Sequence, residues 1–155
     1  MSVFSIPVLS AFVLACALAA APGIVLRPGD WYRGLAKPSW RPPDWLFGPV
    51  WLVLYISIAI SGWLVWRKAG FEGAGLALAV YAVHLVFNAM WSVIFFGLRR
   101  PDLAFMEIVC LWVSIAVTIA MFYSIDRLAA WLLIPYLLWV SFAVVLNLRI
   151  WRLNA

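Results

Sequence analysis

The sequence predicts an all-α integral membrane protein built as a bundle of five transmembrane helices. Three observations predict it. Hydrophobic residues make up 68% of the 155-residue chain and charged residues only 11%, against about 25% charged in an average soluble domain. A soluble fold of this length cannot hide so much apolar surface, so the solvent is lipid. Next, residues 1–26, 45–66, 73–98 and 128–148 carry no charge, and 103–125 carries only Glu107. Each run meets the ~20 apolar residues needed to cross a bilayer. In lipid each must be a helix, because every backbone polar group needs an internal partner. Finally, the charges collect between the runs, and unevenly. With five spans, Arg27, Arg33, Lys37, Arg41, Arg99, Arg100, Arg149 and Arg152 fall on one side and Arg67, Lys68 and Arg127 on the other. The positive-inside rule puts the larger group in the cytoplasm, with the N-terminus outside and the first loop and C-terminus inside. The net charge of +5 thus reads as topology, and no dense basic face is left for nucleic acid.

The first helix is expected over 3–26, with Ala11, Ala15 and Ala19 at the four-residue spacing that permits close helix contact. It lacks the positive n-region of a signal peptide and is read as retained. The second, 46–66, brings Trp51, Tyr55 and Ile58 to one face. Arg67, Lys68, Gly70 and Gly73 mark a short outer turn. The third helix, 75–98, has two informative faces. Gly75, Ala79 and Ala82 form a small-residue stripe, read either as a homodimer face or as packing within the bundle. His84, Asn88, Trp91 and Phe95 line another side. Polar side chains in a membrane are costly unless paired or facing a cavity, so this face is either a cavity wall or a set of interhelical hydrogen bonds. Pro101 and Asp102 suit the start of the fourth helix, 103–123. Its Glu107 is expected either to stay protonated or to pair with Arg99 or Arg100. Ser124 to Arg127 turns the chain, and the fifth helix, 128–148, places Trp139, Ala143 and Leu146 on one face. Five such helices make one domain over 1–155.

Between the first two helices lies WYRGLAKPSWRPPDWLFGPVW, Trp31 to Trp51, with four tryptophans and four prolines. Pro38, Pro42 and Pro43 favour stiff, extended backbone, whereas a floppy tether uses Gly and Ser. The loop, 27–45, can therefore fold over the bundle mouth as a lid. The competing reading makes its indoles interface anchors, as in aromatic belts.

The remaining chemistry is sparse. One histidine and no Cys/His cluster leave no protein-built metal site, and no cofactor is implied. Cys16 and Cys110 lie within spans as packing residues. No G-x-S-x-G or Walker sequence occurs. Ion channels and pumps carry more intramembrane charge. An aromatic, weakly polar interior under a stiff lid suits a flat apolar ligand with a few polar edges.

Three ordered motifs add to this reading: Trp31-Tyr32, Leu35, Lys37-Pro38, Trp40, Pro42-Pro43, Trp45, Pro49 and Trp51; then Asn88, Trp91 and Phe95-Phe96; then Pro135-Tyr136, Trp139, Ala143 and Leu146-Asn147. Over nearly its whole length the chain resembles the translocator protein family, the tryptophan-rich sensory proteins formerly called peripheral benzodiazepine receptors. The resemblance implies an often dimeric five-helix bundle with a cavity beneath the first loop, binding porphyrins, cholesterol and drug-like ligands. Some bacterial members promote light-dependent oxidative breakdown of protoporphyrin, which assigns Trp51 and Trp139 here as electron donors. The ligand-binding set so implied is Trp31, Tyr32, Trp40 and Pro42 in the loop, Trp51 on the second helix, His84, Asn88, Trp91 and Phe95 on the third, and Trp139, Ala143 and Leu146 on the fifth. Two departures matter. His84 stands where the family commonly has Gln. Leu148 stands where the animal cholesterol motif needs Tyr, which argues against sterol binding. The expected protein is a porphyrin receptor or sensor of the bacterial inner membrane, with transport of the ligand across the membrane as the alternative.

Overall fold

The computed structural model describes residues 5–155, so Val3 and Phe4 of the expected first helix lie outside the described residues. Among these, every regular element is helical. Helix α1 is Ser5–Val25, α2 is Asp30–Gly34, α3 is Asp44–Ser92, α4 is Pro101–Ile125, α5 is Arg127–Leu132 and α6 is Ile134–Leu153. A π-helical turn, Val93–Gly97, prolongs α3.

With that turn α3 runs for 54 residues, well over twice the ~20 a span needs. It is two spans in one hairpin. Gly70 breaks it, with φ 65° and ψ −176°, a left-handed backbone that glycine adopts at no steric cost. The arms return side by side. The Tyr81 hydroxyl donates to the Ile58 carbonyl at 2.9 Å, and Tyr55 bonds Asn88 farther from the break. The expected short outer turn, marked by Arg67, Lys68, Gly70 and Gly73, is therefore a single-residue reversal at Gly70. A Cβ on Gly62 would stand 2.8 Å from the rings of both Phe12 and Tyr81, so α1 and the two arms meet where a side chain is missing.

Two other boundaries differ from expectation for local reasons. The loop between the first two spans contains the short helix α2. The last span is α5 plus α6: Pro135 has no N–H to continue the ladder, Leu133 donates back to Ala130 and Trp131, and α6 resumes and runs on to Leu153. Asp126 caps α5, its carboxylate accepting from the Ala129 N–H at 3.0 Å.

Helix α4 lies against α3 and α6, and α1 lies against α3, while α6 makes few close approaches to α3. The core is Ile58, Val65, Ile115, Phe122, Leu133 and Tyr136, all essentially inaccessible. The outside is apolar too: Leu14, Leu18, Leu52, Leu76 and Leu138 are each at least 60% exposed. That surface is stable only against lipid, and the molecule is an integral membrane protein. Of the two alternatives expected for Glu107, the ion pair is not the one the structure shows. Glu107 pairs with neither Arg99 nor Arg100. Arg100 is bidentate on Asp102, at 2.8 and 2.6 Å, and the buried Glu107 carboxyl has no hydrogen-bond partner among the described residues.

Candidate functional site: an aromatic recess beneath the first loop

Because α3 and α6 approach mainly through side chains, the space between them is filled by rings. Trp51 lies 5.4 Å from Tyr55 and 6.2 Å from Tyr136 between ring centroids. Toward the loop, Phe47 meets Trp139 at 5.6 Å, Trp139 meets Phe142 at 5.7 Å, and Trp40 of the loop meets Phe142 at 5.7 Å. Most of these are edge-to-face, the arrangement favoured by the ring quadrupole. The recess is closed by its own side chains, Phe47 against Trp139 and Trp40 against Phe142.

The floor is polar. Tyr55 donates to Asn88 Oδ1 at 2.5 Å, and Asn88 Nδ2 donates to the Tyr136 hydroxyl at 2.8 Å. One turn on, Trp91 Nε1 donates to Asn147 Oδ1 at 2.9 Å, and Asn147 Nδ2 donates to the Pro101 carbonyl at 2.8 Å. These bonds tie α3, α4 and α6 together. His84 lies behind the floor, fully buried, with its ring 5.1 Å from Tyr81 and 5.6 Å from Tyr136.

The loop is held at several points. Tyr32 and Trp31 sit edge-on to Phe95 at 6.1 and 5.9 Å, and Phe95 stacks on Trp91 at 5.0 Å. The π turn carries Phe95 and Phe96 to Tyr32. Lys37 Nζ lies 4.5 Å above the Tyr32 ring and donates to the Leu35 carbonyl at 3.0 Å. Partial burial and the nearby Arg41 lower its pKa below the usual lysine value. Arg41 bonds the Tyr32 hydroxyl and Asp44. Asn154, beyond α6, accepts from the Ala36 N–H and donates to its carbonyl, both at 2.9 Å.

The structure thus gathers Trp40, Trp51, Asn88 and Trp139 around the recess and Trp31, Tyr32, Trp91 and Phe95 under the loop. Leu146 joins the two in one buried cluster with Tyr32 and Phe95. Ala143 is half-buried beside the recess, Pro42 is half-buried ahead of α3, and Trp45 of the loop motif faces outward, 71% exposed. Sequence reasoning passed over Asn154, which looks like an ordinary polar residue after a helix. It also left Tyr55 and Tyr136 out of the site, although their spacing from Trp51 and Trp139 could have found them. Two clefts lie elsewhere. One, of about 530 Å³, is bounded by Arg27, Gly29, Asp30, Trp31, Phe96 and Arg99. The other, about 190 Å³, is bounded by Ile119, Tyr123, Ala130, Trp131 and Ile134.

The model of the TspO/MBR family matches residues 9–152. Protein CrtK of Rhodobacter capsulatus is 42% identical over 97% of this chain and 94% of its own. The tryptophan-rich sensory protein of Cereibacter sphaeroides is 39% identical over 92% of this chain and 89% of its own. The human translocator protein is 39% identical over 92% and 88%. With a hairpin-built membrane bundle, a loop clamped over an aromatic recess and a family match across almost every residue, the chain belongs to the TspO/MBR family, as a membrane protein of the sensor and translocator type.

Proposed function

We propose that this protein is a porphyrin receptor of the bacterial inner membrane, and that the macrocycle enters between α3 and α6 beneath the first loop. The observation that carries the reading is the recess itself. Trp51, Trp139, Phe47 and Phe142 offer flat apolar faces, Asn88 and Tyr136 offer polar edges, and few backbone contacts hold α3 to α6. Trp40 and Pro42 belong to the segment that must move to admit ligand, and the clamped loop is its lid. The exposed stripe Gly75, Ala79 and Ala82 is the face for a second copy.

Under light, Trp51 or Trp139 gives one electron to the excited porphyrin. The indole becomes a radical cation and the porphyrin a radical anion, which passes its electron to dissolved dioxygen to give superoxide. The indole radical cation then regains an electron from the macrocycle, and the porphyrin radical cation combines with superoxide. One porphyrin and one dioxygen thus give one oxygenated, bleached product, and the tryptophan is restored. Purified protein titrated with protoporphyrin in the dark and then illuminated tests both parts. Saturable binding is expected, followed by bleaching of the porphyrin absorption. Phe preserves much of the apolar contact but is a much poorer donor. Trp51→Phe and Trp139→Phe should each slow bleaching while shifting dark affinity by less than about tenfold, or about 1.4 kcal/mol. Wild-type bleaching rates in both, with the site saturated, would restrict these residues to binding. The mammalian relatives' name, translocator protein, favours transport as the second reading. Movement of porphyrin between sealed vesicle compartments would establish it.

A further inference from the structure

The cleft of about 530 Å³ is separate from the ring-filled recess and is built by the junction of two helix ends. The end of α1 and the π turn approach closely because both carry glycine. A Cβ on Gly23 would stand 3.2 Å from Ser92 Oγ, and one on Gly97 would stand 3.4 Å from a Leu26 methyl. The approach brings Arg27 and Arg99 into one cleft. None of the ion pairs among the described residues involves either. Asp30, the one carboxylate of the lining, is already taken by Arg33. The neighbouring Arg100 is taken by Asp102, so the chain neutralises the arginine beside the cleft and leaves those within it free.

Arg99 is also the one non-glycine residue with positive φ among the described residues, at 54°. Such backbone is disfavoured for a side chain bearing a Cβ and persists only where the surroundings impose it. Beside the two guanidinium groups the surface turns apolar at once. Ile24 is 63%, Val25 78%, Val93 40% and Leu98 60% exposed, on the same two helix ends. Trp31 and Phe96 wall the cleft, and aromatic rings prefer the headgroup level of a membrane. Paired cations above an apolar strip fit an amphiphile, with oxyanion and chain held together.

We propose that this cleft is a binding site for an anionic phospholipid, its phosphate held by Arg27 and Arg99 and its acyl chains lying along Ile24, Val25, Val93 and Leu98. The site is independent of the porphyrin recess, so a protein that fails to bind porphyrin can still bind lipid here.

Native mass spectrometry of the detergent-purified chain, titrated with phosphatidylglycerol and with phosphatidylcholine, tests the site. One phosphatidylglycerol should be retained in preference to phosphatidylcholine, by roughly tenfold. Arg27→Gln with Arg99→Gln should abolish that preference. Arg149→Gln with Arg152→Gln, which changes two exposed cations on α6, should keep it. No preference in the wild type, or equal loss in both double variants, overturns the proposal. Soluble glycerol phosphate should not displace the lipid at equal concentration. If it does, the cleft recognises free phosphate and the lipid assignment is wrong. Arg99→Gly separates function from folding: it relieves the positive φ, so its thermal midpoint should equal or exceed the wild type while the lipid preference falls. Retained preference in that variant would remove Arg99 from the site.

Discussion

Asn88 has its amide committed on both sides, accepting from Tyr55 and donating to Tyr136. A ligand that needs a hydrogen bond from it must compete with two hydroxyls already in place. Asn88→Ala would therefore act first on the fold. It strands two buried or half-buried tyrosine hydroxyls, at a cost of about 1–3 kcal/mol, and a lowered thermal midpoint in detergent should report it. Loss of porphyrin affinity with no change in midpoint would mean that Asn88 serves the ligand and not the floor. His84 was legible as a polar residue on the Asn88 face, and its spacing is right. The spacing could not show that Tyr136 encloses it, because that ring comes from a different helix; Tyr81, three residues earlier on the same helix, was within its reach. Glu107 illustrates the same limit. Two arginines nearby in sequence offered partners, yet Asp102, only two residues from Arg100, takes the nearer guanidinium.

At the scale of elements, apolar run length was sufficient to locate the membrane-crossing helices, since a bilayer fixes how long a span must be. Run length does not describe how spans join. Arg67, Lys68 and Gly73 looked like a loop, but only Gly70 leaves helical geometry, because one left-handed residue is enough to reverse the chain. The break at Leu133 follows from Pro135, which was visible in the sequence, though its consequence for the ladder two residues earlier needed the structure. Gly62 could not be singled out from sequence at all: its role comes from Phe12 and Tyr81 converging on it. Gly62→Ala should cost about 1–3 kcal/mol by overpacking, measured as a lower unfolding midpoint. Gly75→Ala, where a Cβ meets nothing, should leave the monomer's midpoint unchanged or slightly raised.

For the whole molecule, the uneven basic residues predict a cytoplasmic first loop and a cytoplasmic C-terminal end of α6. Ser39 is exposed in that loop. With Cys16 and Cys110 replaced, Ser39→Cys should resist an impermeant thiol reagent added outside intact cells and react once the membrane is opened. Ready labelling from outside would invert the topology. Replacing Cys110 is essential to the measurement, since it is exposed on the bundle surface, whereas Cys16 is buried against Tyr81.

The double hydrogen bond between Asn154 and Ala36 spans 118 positions of the chain. Translation delivers Ala36 early and Asn154 only after every span has been made. Until then the loop has its aromatic contacts at most and lacks this tie. The mouth of the recess is thus fully fastened only after α6 has been made. A chain stopped short of Asn154 should insert as an intact bundle whose mouth is loose. Asn154→Ala mimics that state: amide hydrogen exchange at Ala36 should rise several-fold, in line with about 0.5–1.5 kcal/mol for a lost hydrogen bond, while exchange along α3 and α4 stays unchanged. Any fusion placed directly after α6 would act on the same point, so an added tail becomes a handle on the first loop, more than a hundred residues away in the chain.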